Sequence, residues 1–201
     1  AMYQINVSAV ESDEEPPLLS IDNSYGATWA AESPTLYYFN VEALALFSID
    51  VSNPQAESEL LLPLDNFLRV IPSPDNDVLL IESSGMLLSY TLSTGELSEF
   101  TSINVAHGIR WTADGESFVY INNDLYVVNR NGTESINLTN GAFRGTDSIL
   151  QPEPTLFIGG LAPEETHVLI NAMNFVDSAI YAVPLGDSAM PSDIMQLFQV
   201  E

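Results

Sequence analysis

The sequence contains no cysteine and no lysine. The first absence excludes disulfide scaffolds, thiolate zinc sites and cysteine nucleophiles. The second excludes Schiff-base chemistry and cross-links built on a lysine amine. Positive charge is almost missing: four arginines, Arg69, Arg110, Arg130 and Arg144, face 28 acidic residues, for a formal net charge of −24. Binding a nucleic-acid backbone requires a basic patch, so nucleic acid is excluded as a partner, and anionic membrane surfaces are disfavoured for the same reason. No run approaches the roughly 20 apolar residues that a membrane-crossing helix needs. The two histidines, His107 and His167, show no His-x-His or His-x3-His spacing, and there is no Gly-x-Ser-x-Gly elbow. Neither a clustered-histidine metal centre nor a hydrolase nucleophile is therefore expected. The opening AMYQINVSAVESDEEPP carries no basic leader or apolar block, and Ala1-Met2 reads as a cloning remnant, so the expectation is a segment of a longer protein.

The chain does have enough apolar material, 46% of 201 residues, for one sizeable core or a domain made of several small ones. That material is arranged as a repeat. Trp111-Thr112-Ala113-Asp114-Gly115-Glu116-Ser117-Phe118-Val119-Tyr120 has counterparts in WAAESPTLYY from Trp29, PSPDNDVLLI from Pro72 and LAPEETHVLI from Leu161. The anchors are spaced by 43, 39 and 50 residues. Each is followed by a second apolar strand, a polar turn and a short strand: ALALFSID, GMLLSYTLSTGEL, NDLYVVNRNGTES and SAIYAVPLGDS begin these halves. The apolar runs are short and bounded by Gly, Asn, Asp and Pro, which reads as strand. VEALALF, residues 41–47, has helical character but is assigned to strand through its repeat partners.

A unit of about 40 residues with four short strands is the period of a propeller blade. The expected fold is all-β: a β-propeller of about four blades of four antiparallel strands, either a closed small ring or part of a larger propeller. The expected organisation is an N-terminal strand and acidic link at 1–18, then blades at roughly 19–63, 64–102, 103–140 and 141–201. A strand at Met2–Val10 is expected to pair with the last blade and close the circle; an open arc would instead self-associate, since bare strand edges invite pairing. Trp111 is expected to end an inner strand and fill the wedge between blades. Gly115 and Asn131-Gly132 supply turns.

RWTADGESFVYINNDLYVVNRNGTESINLT resembles the repeat of TolB-like β-propellers, in which a Trp-Ser-Pro-Asp-Gly turn precedes two strands. Trp111, Asp114, Gly115, Asp124, Leu125, Tyr126, Val127 and Gly132 fall on that pattern. The first unit keeps Trp29 and Pro34, the second Ser73-Pro74-Asp75, and the fourth only Ala162-Pro163-Glu164. The resemblance implies propeller architecture and assigns no activity, because one fold hosts many functions.

Candidate site residues are few. Arg69 and Arg110 are rare cations near the turns of two blades, and His107 stands just before an inner strand. These three form the candidate binding face, aimed at an anionic group; pairing with neighbouring carboxylates is the competing expectation. No cofactor and no catalytic or metal-ligating set is expected. Calcium is the one ion that the acidic turns Asp75-Asn76-Asp77 and Asp114-Gly115-Glu116 could take, although the same residues are what a turn itself requires. Asn131 and Asn137 fit the glycosylation pattern but are expected in a hairpin and an outer strand. The functional expectation is a non-enzymatic binding or scaffold module in an extracytoplasmic bacterial protein, periplasmic, secreted or at the cell surface, with a protein or glycan partner and no membrane insertion. An accessory, substrate-gating domain of a larger hydrolase is the alternative.

Overall fold

The computed structural model describes residues 2–4, 19–53, 55–100, 103, 108–186 and 193–200. The chain divides into two compact units, residues 1–99 and 100–201. In the first unit, β1 (Met2–Gln4) and β2 (Leu19–Ile21) form a two-stranded ribbon. Then β3 (Ser24–Trp29), β4 (Thr35–Asn40), β5 (Ala45–Asp50) and β6 (Glu59–Pro63) form one antiparallel sheet, each strand beside the next. A second sheet of the same plan holds β7 (Arg69–Pro72), β8 (Val78–Ser83), β9 (Met86–Thr91) and β10 (Glu96–Glu99). The second unit repeats this arrangement with β11 (Ile109–Trp111), β12 (Ser117–Asn122), β13 (Asp124–Asn129) and β14 (Ser135–Asn137), then β15 (Thr155–Leu161), β16 (His167–Met173), β17 (Ser178–Pro184) and β18 (Met195–Val200). Among the described residues no helix is long and apolar enough to cross a membrane.

The sheets are thin and must be covered. In β4, β8 and β12 the central residues are buried irrespective of which face they point to, including Leu36 to Phe39, Val78 to Ser83 and Phe118 to Ile121. Alternate residues of a strand point to opposite faces, so burial of consecutive residues means that both faces are covered. In the first unit, Tyr37, Phe39 and Leu46 of one sheet pack on Val70, Leu79 and Ile81 of the other. Phe67, in the connection between them, stacks on Phe39 with ring centroids 5.0 Å apart and meets Tyr25 at 5.8 Å. The Tyr25 hydroxyl donates to the Phe67 carbonyl at 2.7 Å.

The opposite face of the first sheet carries Leu36, Tyr38 and Ile49, with Ile21 of β2 packed against them. This corrects the expected pairing of the N-terminal strand with the last blade: Met2–Gln4 pairs with Leu19–Ile21. A partner close in sequence costs little loop entropy, and the pairing leaves Ile21 on an apolar face that Val51 and Ala56 also help to cover. The rest of that expected strand, residues 5–10, lies outside the described residues.

In the second unit, Val119, Ile121 and Leu125 face Val168, Ile170, Tyr181 and Val183. Phe143 meets the Tyr181 ring edge-on at 4.9 Å. The Tyr181 hydroxyl has no hydrogen-bond partner, and burial pushes its pKa up. Each large apolar side chain removed from water in these stacks contributes about 1.5–3 kcal/mol before the cost of ordering it.

The turn between the first two strands is the best-conserved piece of the internal repeat. Asn76, Gly115 and Glu165 donate their backbone N–H to the carbonyls of Ser73, Thr112 and Ala162 at 2.9, 3.0 and 2.8 Å. All three have left-handed backbones, with φ of 58, 71 and 51°. Glycine adopts this conformation without strain and asparagine with little, whereas glutamate does so at a cost. In each unit the second sheet's turn is latched to the first sheet's. Ala31 N–H donates to Asn76 Oδ1 at 2.7 Å, and Asn76 Nδ2 donates back to the Ala31 carbonyl. Ala113 N–H donates to Glu165 Oε1 at 2.5 Å. Ala31 and Ala113 hold the same place, two residues after Trp29 and Trp111. The Asn131-Gly132 hairpin forms as expected, with Gly132 at φ 74°; a Cβ there would lie 2.2 Å from the Phe100 ring.

Trp111 ends β11, is buried and meets Phe118 of the same sheet edge-on at 5.4 Å. Trp29 also ends its strand but is 49% exposed. Behind it, a bulge between Tyr25 and Thr28 shifts the register, and β3 exposes every second residue. In the segment 41–47, Val41 to Leu44 is a turn with Leu44 at φ 50°, and β5 starts at Ala45.

The latch at Asn76 gives a graded prediction. Asn76→Gly keeps the backbone conformation and loses both side-chain bonds, at a cost of roughly 1–2 kcal/mol. Asn76→Ala adds the left-handed strain of a Cβ, about 1 kcal/mol more. Urea unfolding of the two variants should rank wild type above glycine above alanine; equal midpoints for all three would show that the latch adds nothing.

Candidate functional site

Arg69 opens β7 and lies directly across from Glu82 of β8. Its Nε donates to Glu82 Oε2 at 2.7 Å. The arginine side chain is 38% exposed and that of Glu82 only 8%, so the guanidinium neutralises a carboxylate held in the sheet while keeping one side in water. Arg110 is the middle residue of β11 and is exposed, while its neighbours Ile109 and Trp111 are buried. Strand alternation therefore turns Arg110 outward. The two do not occupy equivalent places in the repeat: Arg110 corresponds to Ile71, and Arg69 lies three residues before the end of β7. Arg69 belongs to the first unit and Arg110 to the second. His107 lies outside the described residues. His167, which opens β16, has Nδ1 3.0 Å from the Thr166 hydroxyl.

The most concentrated polar chemistry lies elsewhere, around Asp124. This carboxylate opens β13 and is fully buried. Its Oδ1 accepts from the Thr139 hydroxyl and the Gly141 N–H, both at 2.9 Å. Its Oδ2 accepts from Asn137 Nδ2 at 3.0 Å and from Arg144 Nη2. Thr139 Oγ1 in turn accepts from the Leu125 N–H at 3.1 Å. Asn137 Oδ1 accepts from the N–H groups of Thr139 and Asn140, at 3.1 and 2.8 Å. Four donors on one buried carboxylate offset its desolvation and tie β13, β14 and the segment after it into one knot. In the sequence, Asp124 stands out only as a position of the repeat pattern, and nothing joins it to Arg144. The only signal is a single acid that opens an otherwise apolar strand, DLYVV, with an arginine 20 residues later.

The acidic turns close on themselves. Asp114 Oδ1 accepts from the Thr112 hydroxyl at 2.7 Å and the Glu116 N–H at 3.0 Å. Those bonds, the hydroxyl first, hold its carboxyl below the ordinary carboxylate value. Asp75 Oδ1 accepts from the Ser73 hydroxyl at 2.5 Å and the Asp77 N–H at 3.2 Å. Among the described residues no three His, Asp or Glu side chains converge to hold a metal ion. Oδ1 of Asp75 and of Asp114 is engaged by the turn in which it sits.

Two predictions follow from these geometries. Asp124→Ala removes the acceptor from four donors and should cost about 3–5 kcal/mol. Arg144→Ala should cost far less, about 1 kcal/mol, because that side chain is 46% exposed and three donors remain on the carboxylate. Denaturant titration of both variants checks the ranking, and equal losses would contradict it. At Asp114 the folded-state carboxyl lies below its unfolded value, so its contribution is present above the ordinary carboxylate range and is lost as pH falls through the depressed value. Thr112→Val should move the Asp114 carboxyl titration upward, read by carbon NMR; an unmoved midpoint would refute the assigned cause.

No protein-family profile matches the chain, and no curated protein matches it. Solved structures do. A TolB from Agrobacterium tumefaciens is similar at 16% identity with a TM-score of 0.52, over 87% of this chain and 61% of the other. Oligogalacturonate lyase from Vibrio parahaemolyticus is similar at 11% identity and a TM-score of 0.56, over 89% of this chain and 53% of the other. A prolyl endopeptidase structure gives 12% identity and a TM-score of 0.59, over 89% of this chain and 30% of that one. Against the first solved structures it matches, the chain spans 46 to 61% of their length. At such identities the likeness is one of fold, and it shows a β-propeller architecture of four-stranded antiparallel blades.

Proposed function

We infer that the chain is a non-enzymatic binding or scaffold module of the propeller kind, mediating protein or ligand contacts within an extracytoplasmic bacterial protein. One observation carries the reading: the side chains best suited to chemistry are engaged in holding the fold. Asp124 serves the knot, Asp114 and Asp75 close turns, Glu165 latches two turns, and Glu82 pairs with Arg69. A carboxylate that closes a turn or neutralises an arginine is a poor general base, because taking up a proton would weaken the bond it makes to the fold. The outward-facing Arg110, with His107 shortly before it in the chain, is the proposed contact position in the second unit, and Arg69 the one in the first. A protein or glycan that presents an anionic group to these cations is the partner class. The extracytoplasmic setting rests on the cysteine-free, acidic composition.

A second reading, a substrate-gating domain of a larger hydrolase, is favoured by the likeness to the prolyl endopeptidase structure, of which this chain spans less than a third. The two readings separate on the polypeptide encoded around this segment. Both the chain and the longer product would be assayed for cleavage of Gly-Pro-p-nitroanilide. The binding-module reading expects no turnover above the buffer blank from either. Turnover by the chain itself would overturn it, and turnover by the longer product alone would establish the gating role.

A further inference from the structure

The fourth sheet differs from the other three. Its second strand, β16, is not buried on both faces: Val168, Ile170 and Ala172 are buried, while the alternate residues are half-buried and Met173 is exposed. The buried set belongs to the core shared with the third sheet. The other face is open, and its side chains line up in register across all four strands. Phe157 opposes Asn171, which opposes Ile180, which opposes Phe198. Beside this row, Leu169 opposes Ala182, which opposes Met195. Phe157, Met173, Met195 and Phe198 are 40, 49, 48 and 58% exposed. Phe175 and Val176, at the tip of the β16–β17 hairpin, extend the patch with 105 and 68% exposure. None of the four strands contains a single Asp, Glu, Lys or Arg, a distinction that none of the other three four-stranded sheets shares.

We propose that this face is a self-association surface, on which a second copy of the chain docks through the same face across a two-fold axis. Charge selects the occupant. Two copies of −24 repel each other across most of their surfaces. The uncharged face is where they approach at least electrostatic cost, and like faces bring no unpaired charge into contact. Asn171 favours the same occupant. It is the polar member of the central row, and a primary amide is self-complementary across a two-fold axis, donating through its nitrogen and accepting through its oxygen. Area sets the strength. Four strands about 4.8 Å apart and roughly six residues long at ~3.3 Å each present about 400 Å² per copy. Two such faces, with the hairpin tips added, bury roughly 800–1,000 Å², which is the range of weak, transient association.

The dimer is therefore expected at tens to hundreds of micromolar, and it tightens as salt screens the repulsion. Sedimentation equilibrium of the chain, from about 5 to 500 µM at roughly 0.05 and 0.5 M sodium chloride, reads both properties, because the screening length shrinks about threefold between the two conditions. The expected result is a monomer–dimer equilibrium that tightens at least about fivefold at high salt. Ile180→Glu and Phe198→Glu should each weaken it tenfold or more, with unchanged circular dichroism. Ile136→Glu, an equally apolar exposed site on β14, should leave it unchanged. Phe198 is more exposed than Ile180, so its variant keeps the test valid if Ile180→Glu does not fold. A chain that stays monomeric at high salt, a dimer that survives both substitutions, or association that weakens with salt would each overturn the proposal. A monomeric chain whose Ile180 region becomes protected only in a longer polypeptide would assign the face to a sheet of that polypeptide instead.

Discussion

The fold depends on apolar contact between the faces of neighbouring sheets. A strand such as β8, with Val78 to Ile81 buried in succession, cannot be satisfied by a single sheet with one wet side. It requires cover on both faces. That requirement turns four short meanders into stacks, and it explains why Phe118, Leu79, Leu80, Ile81, Ile121 and Ile170, six of the twelve largest fully buried side chains, come from second strands. The turns and latches described above hold the stacks in register, but their net worth is small beside the burial that the faces supply.

The polar chemistry follows from this arrangement. Strands that are apolar on both sides leave little room for charge, so the acids are pushed to turns, hairpins and strand ends. Those that remain inside are paired: Asp124 with its four donors and Glu82 with Arg69. The chain's few arginines are used in part to neutralise carboxylates within the fold, which leaves a surface dominated by negative charge. On such a surface an uncharged apolar face is as conspicuous as a charged patch would be on a neutral one.

Much of the architecture was legible in the sequence, because it rests on short-range signals. The alternation of apolar runs with Asn, Asp and Gly turns located the second strands, and Asn131-Gly132 and Gly115 were recognised as turns that need a left-handed residue. The helix-like VEALALF, assigned to strand through its repeat partners, is strand only from Ala45, and Val41 to Leu44 form a turn. Long-range partners were not legible. Nothing local in MYQINVSAV says that its first residues pair with Leu19–Ile21. Trp29 and Trp111 occupy the same repeat position, yet only Trp111 is buried, because burial depends on what the neighbouring elements cover. The Asp124–Arg144 knot spans 20 residues and needs a fold to bring its ends together. For the proposed binding positions, sequence identified Arg69 and Arg110 as rare cations, and only the register revealed that one is tied to Glu82 while the other faces outward.

Native-state hydrogen exchange tests most directly whether face-to-face stacking holds the molecule together. If it does, the amides of β4, β8 and β12, flanked by strands and covered on both faces, exchange only through global opening of their unit, while the outer strands β6, β10 and β14 exchange at far lower free energies. Equal protection of outer and second strands, or fast exchange at Leu79, Leu80 and Val119, would contradict the account.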